Sequence, residues 1–145
     1  MLSPSRYRIL AIGKLRTHWI GKGIDIYLKR LPGLTITELR ETTPKKEAKA
    51  ISSSLKSNES LVVLTEKGEQ MGSTMLAERL QQLGSKRLVF CIGGANGFSP
   101  DIDEIASWKL SLSPLTFPHE IARLLLIEQI YRVHTILNGS PYHRS

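Results

Sequence analysis

LVFCIGGANGFSP, residues 88–100, decides the architecture. Five consecutive apolar residues, Leu88 to Ile92, form a strand with no polar side, the kind a parallel sheet covers on both faces. The strand runs straight into Gly93-Gly94-Ala95-Asn96-Gly97. Ser99-Pro100-Asp101 then reads as a helix start, with a capping hydroxyl, a proline at the first position and an acid in the first turn.

The same grammar recurs on either side. Residues 61–64 (LVVL) are a second continuous apolar strand, followed by a polar loop over 65–72, and Ser73 caps a helix over 74–83 that Gly84 ends. Nearer the N-terminus, residues 7–13 (YRILAIG) form a short strand. Trp19, Ile20, Ile24, Tyr27, Leu28 and Leu31 recur at helical spacing until Pro32-Gly33 stops the run. Residues 34–39 (LTITEL) alternate as a strand, and Thr43 caps an exposed helix over 45–55, with Pro44 in its first turn. Beyond the glycine turn, residues 108–113 (WKLSLS) alternate as a strand and Pro118 opens a long helix to about Leu137. Strands alternating with helices predict an α/β chain with a mostly parallel sheet and helices on both faces, in one domain over residues 1–145, without repeat or linker.

Bulk properties narrow the function. Hydrophobic residues make up 41% and charged residues 23%, which suits a folded chain rather than a disordered one. No stretch is long and apolar enough for a membrane span, and the first fifteen residues do not read as a signal peptide. Cys91 is the only cysteine and lies in an apolar strand, so it reads as packing in a reducing cytoplasm. Twenty Lys and Arg against thirteen Asp and Glu give a net charge of +7, which makes nucleic acid the first partner to consider.

Ligands in open α/β sheets collect at the carboxyl ends of the strands, and three loops fall there: 65–72, 93–97 and 113–118. The IGGANG glycines allow close backbone approach, yet they match neither GxGxxG nor a P-loop, and taken alone they read first as a tight strand-to-helix turn. Ser113-Pro114-Leu115-Thr116-Phe117-Pro118 combines two prolines with free main-chain groups, either a stiff wall for a flat ring or a plain lead into the next helix. The terminal helix is apolar nearly all round, so it is covered either by a second subunit, making a homodimer, or by its own chain. Arg132 pairs with Glu128 one turn before it, whereas Arg123 has no acid four residues away and is the candidate to hold an anion. The tail Tyr142-His143-Arg144 offers stacking, proton handling and phosphate contact, unless it is a frayed terminus. No GxSxG elbow, paired zinc ligands or RNA-recognition signature appears, and no metal is expected.

VFCIGGANGFSP together with WKLSLSPLTFPHEIARLLLIEQIYRVHTILNGSPYHR closely resembles the C-terminal half of the RlmH family of SPOUT-class enzymes. The likeness covers residues 61–144 well and 7–31 more loosely. It implies an α/β knot, with the terminal helix threaded through a preceding loop, and a homodimer that uses S-adenosyl-L-methionine to methylate N3 of a pseudouridine in 23S rRNA of the assembled ribosome. Carried over by position, the cofactor falls on Leu64, Gly94 and Ser113, Pro114, Leu115, Thr116, Phe117 and Pro118. Tyr142, His143 and Arg144 match the closing motif associated with substrate and catalysis. Separately, from its position one turn into the terminal helix behind the cofactor loop, Arg123 is a candidate to orient the substrate or that loop across the dimer. Where the family commonly shows Asp-x-x-Gly-Lys, this chain reads Leu64-Thr65-Glu66-Lys67-Gly68-Glu69, so no role is carried over to Glu66 or Lys67. Two other readings keep the basic charge: a non-catalytic rRNA-binding module, and a SPOUT enzyme acting on tRNA.

Overall fold

The computed structural model describes residues 3–144. A 3-10 turn at Pro4–Arg6 leads into strand β1 (Tyr7–Ile12), followed by helix α1 (His18–Lys29), β2 (Thr35–Leu39), α2 (Pro44–Ser54), β3 (Glu59–Gln70), α3 (Ser73–Leu83), β4 (Arg87–Ile92), a second 3-10 turn at Pro100–Glu104, β5 (Ala106–Ser111) and α4 (His119–Leu137). The five strands lie in the order β2-β1-β4-β3-β5, and every pairing is parallel. All strands therefore end at one edge of the sheet.

The apolar strands split their residues by parity. Leu88, Phe90 and Ile92 of β4 join Ile9 of β1 and Val62 of β3 in a core roofed by α1, α3 and α4. Val89 and Cys91 join Leu10, Ile12, Leu61 and Val63 on the opposite face, under Ala48 and Ile51 of α2 and Ile102 of the second 3-10 turn. Helices thus cover both faces, as the unbroken apolar runs require. The expected exposed helix is α2, and it is half right: its N-cap Thr43 accepts a hydrogen bond from the Lys46 amide at 3.3 Å, but the helix also buries Glu47, Ala48 and Ile51.

Three expectations need correction. Residues 65–70 are not simply a loop, because β3 continues through them and pairs again with β5, Leu64 and Glu69 both lying opposite Leu110. The four residues between them swing out of register. Gly68 makes the return possible, since a Cβ there would lie 2.7 Å from the Leu110 backbone. Ser73 does not cap α3. Gly72 holds that position, while the Ser73 hydroxyl donates to Gln129 Oε1 on α4 at 2.6 Å. The helix expected at Ser99-Pro100-Asp101 is only a five-residue 3-10 turn, with Ser99 Oγ accepting from the Asp101 amide at 3.2 Å.

Helix α4 packs on α1 and α3. It buries Leu126, Ile127, Ile130 and Val133 but leaves Leu124, Leu125 and Tyr131 only partly covered.

Candidate functional site

The three strand-end segments converge. A cavity of about 980 Å³ opens at the carboxyl edge of the sheet, walled by the 64–67 excursion of β3, the glycine turn after β4 and the 112–118 segment between β5 and α4. Of the positions expected to hold a cofactor, Leu64, Gly94, Ser113, Leu115, Thr116, Phe117 and Pro118 line it; Pro114 sits in the same loop but outside the lining. Glu66 and Lys67 also face the space.

Its walls are set mainly by backbone. Ser111 Oγ donates to the Ser113 carbonyl at 2.9 Å and the Leu115 amide donates to Ser113 Oγ at 3.1 Å, which folds the 113–115 segment on itself. Gly97 closes the glycine turn at φ +71°, its amide donating to the Gly94 carbonyl at 3.0 Å. A Cβ on Gly94 would meet Glu41 Oε2 at 3.0 Å and Ile12 Cγ2 at 3.1 Å. Behind this wall Cys91 is wholly buried, and desolvation pushes its thiol up to about 12, so it is no nucleophile at neutral pH.

The tail occupies a different place. The Tyr142 hydroxyl donates to Glu128 Oε2 at 2.7 Å, lies 3.5 Å from the Tyr27 hydroxyl, and its ring meets Tyr131 edge-on at 4.8 Å between centroids. Burial, followed by the hydrogen bonds to Tyr27 and Glu128, raises the Tyr142 pKa. Arg132 bridges Glu128 at 2.9 Å, stacks over the Tyr142 ring at 4.8 Å and reaches His143 Nδ1 at 3.0 Å. Arginine can only donate, so Nδ1 accepts and the proton of the neutral imidazole sits on Nε2. The expected Glu128–Arg132 pair is therefore real, and it carries the tail. Arg144 is exposed.

One chain does not unite the two halves. None of Tyr142, His143 and Arg144 lines the cavity. Their anchors on α4 lie ten to fourteen residues beyond Pro118, roughly 15–20 Å along a helix rising about 1.5 Å per residue.

Arg123 corrects an expectation. Only 3% exposed, it donates to Glu38 Oε2 at 2.7 Å and to the Gly13 carbonyl at 3.2 Å, so its charge is engaged inside the chain rather than offered to an external anion. Its hydrogen bond is the leading reason that the Glu38 carboxyl titrates below the ordinary range. Glu38 also accepts from the Leu15 amide at 3.1 Å, and Glu120 at the start of α4 accepts from the Arg16 and Thr17 amides at 3.0 and 2.8 Å. Sequence reading missed Glu38, Glu120 and Tyr27, whose partners lie 85 to 115 residues away. Among the described residues no cluster of His, Cys, Asp or Glu is arranged to hold a metal ion, and no helix is long and apolar enough to cross a membrane.

A family model described as "Predicted SPOUT methyltransferase" matches residues 5–143. Curated relatives named "Ribosomal RNA large subunit methyltransferase H" are similar over essentially the whole length. That of Prochlorococcus marinus (strain MIT 9211) is 61% identical over 145 residues, covering 100% of both chains. Those of Synechococcus sp. strains CC9902 and CC9311 are 56% and 57% identical over 144 residues, covering 99% of this chain and 100% of theirs.

Proposed function

This chain belongs to the SPOUT methyltransferase family, and from that membership we propose that it transfers a methyl group from S-adenosyl-L-methionine to N3 of a pseudouridine in 23S rRNA. The substrate is the assembled ribosome in the cytoplasm, and the working unit is a homodimer whose terminal helix is threaded through a preceding loop. The observation that carries the proposal is the convergence of three separate strand ends on one cavity of about 980 Å³. That volume is at the upper end of the ~300–1,000 Å³ usual for small-molecule sites.

The walls suit an adenosyl group. Leu64 and Phe117 are apolar, Gly94 leaves a bare backbone surface, and Ser113-Pro114-Leu115-Thr116 offers main-chain donors and acceptors on a segment stiffened by proline. Leu64, Gly94 and residues 113–118 would hold the cofactor, which supplies a sulfonium-activated methyl group when bound. No covalent enzyme nucleophile is needed. The protein's contribution is to place N3 in line, exclude water and take the N3 proton.

His143 is the proposed acceptor, Tyr142 the stacking partner of the base, and Arg144 the cation that offsets developing negative charge. Nδ1 is the basic atom of the neutral His143 ring, so proton acceptance at that atom requires exchanging Arg132 for the substrate or a bridging water. The separation between tail and cavity within one chain supports a dimer in which the tail of one copy completes the cavity of the other. The partly covered Leu124, Leu125 and Tyr131 on α4 are suitable surface for that association.

Two measurements test the reading. Calorimetry should give saturable heat with S-adenosyl-L-methionine, whereas a pure RNA-binding module gives none. Mass spectrometry of RNA from a deletion strain should show one methyl group missing from a 23S rRNA pseudouridine; a loss confined to tRNA overturns the substrate assignment.

A further inference from the structure

Residues 14–30 carry five Lys and Arg (Lys14, Arg16, Lys22, Lys29 and Arg30) against one acid, Asp25, a net +4 of the chain's +7. Seventeen residues thus hold more than half the excess charge. Within them Trp19 is 63% exposed and Ile26 51% exposed, although large apolar side chains are costly to leave in water. Trp19, Lys22 and Ile26 stand three and seven residues apart on α1, one outward stripe, while Ile20 and Ile24 face the core.

The loop before the helix is held by its backbone, so that its cations stay free. The Leu15 amide donates to Glu38, and the Arg16 and Thr17 amides donate to Glu120. Both carboxylates are drawn below their ordinary pKa, Glu38 first by the Arg123 hydrogen bond and Glu120 first by the Thr17 amide. Glu38 is further engaged by Arg123. These acids fix the main chain, while Lys14, Arg16, His18 and Lys22 are all exposed.

The position is specific. Parallel pairing sets Ala11 opposite Ile92, so the loop leaves β1 level with the Gly93-Gly94 turn, and Glu120 directly follows the cavity residues Pro118 and His119. A cationic, aromatic-bearing rim therefore stands beside the mouth of the site.

We infer that Lys14, Arg16, Trp19 and Lys22 form a docking surface for the RNA around the target nucleotide, the cations on phosphates and Trp19 stacked on an unpaired base. This rests on the rRNA substrate proposed above and adds the surface that recognises it. The occupant is RNA rather than a second copy of the chain, because a copy would set one +4 segment against another, whereas phosphate neutralises it. An aromatic face among cations is also the combination that binds unstacked bases.

The test uses the full-length protein, ribosomes from the deletion strain, and two variants, Lys14→Ala/Arg16→Ala/Lys22→Ala and Trp19→Ala. For each, ribosome binding is measured across a salt series, with cofactor affinity by calorimetry and solution mass by light scattering. The triple variant should bind ribosomes about 30–100-fold more weakly at 0.15 M salt, with a log–log salt slope shallower by about 2–3. Trp19→Ala should weaken binding roughly tenfold with its salt slope unchanged. Both should keep wild-type cofactor affinity and mass. Wild-type ribosome affinity and slope in the triple variant overturn the inference. A halved solution mass in Trp19→Ala assigns the stripe to the subunit interface and overturns it as well. Absence of cofactor heat in the wild type sinks the methyltransferase reading alone, because the docking surface is judged separately by ribosome binding.

Discussion

At its N-terminal end α4 meets the 113–118 loop, whose hydrogen bonds run between residues two apart; some ten residues further on it meets the tail, whose bonds join residues 11, 14 and 115 apart. The first region is shaped by main chain and proline. The second is shaped by Tyr27, Glu128 and Arg132, side chains that can exchange partners without unfolding anything. A cavity wall made of backbone stays put, while a tail held by five polar and aromatic contacts can be released and captured elsewhere. That contrast matches a division of labour in which one region holds a cofactor and the other visits the substrate.

The contrast is broken most directly by His143→Ala. Single-turnover methylation at saturating ribosome should fall by about 10²–10⁴-fold, the usual worth of a general base, with cofactor affinity unchanged. A wild-type rate would remove His143 from the chemistry. The converse substitution is Gly94→Val, which drives a branched side chain toward Glu41 and Ile12. Overpacking of about 1–3 kcal/mol should appear as a 5–150-fold loss of cofactor affinity by calorimetry, with the tail unaffected. Equal loss in both variants of cofactor affinity would show that tail and cavity are one unit.

Arg123→Leu sharpens the comparison by loosening the base of the cavity edge without touching either region. Loss of a buried pair costs up to about 3–5 kcal/mol, but the Glu38 side chain is 38% exposed, so about 1–2 kcal/mol is expected, a fall of several degrees in melting temperature. The same pair sets a pH dependence. The folded Glu38 pKa lies below its unfolded value near 4.5, so its stabilisation is fully present above about pH 4.5 and is lost as pH falls through the folded pKa. Acid titration of unfolding should therefore be shallower for Glu38→Gln than for wild type below pH 4.5; identical curves would show that the pair does not contribute. Thr43→Ala, remote from both regions, should cost about 0.5–1 kcal/mol in denaturant melts through the lost cap and leave methylation unchanged.

Much of this was legible because it depends on short-range pattern. The runs at 61–64 and 88–92 have no polar face, which leaves a two-sided parallel sheet as their home, and once strands are parallel their following loops must share one edge. The position of the cavity followed from that alone. The continuation of β3 did not, because Thr65-Glu66-Lys67 is polar and only the backbone of Leu110 reveals why Gly68 must lack a side chain. Ser73 looked like a cap for the same reason that it is not one: its hydroxyl found a better partner on α4, 56 residues away.

Arg123 shows the boundary most clearly. Its surroundings within α4 contain no acid four residues away on either side, which suggested a free charge, yet Glu38 stands opposite it from 85 residues earlier. By itself the sequence determined the alternation of strands and helices, the shared edge and the chemistry available in its loops, since these follow from local hydrophobic periodicity and turn residues. Which charges were already paired, and that the tail lies far from the cavity in its own chain, were decided only by tertiary structure, because electrostatic partners are chosen by distance in space and the chain's local pattern carries no record of that distance.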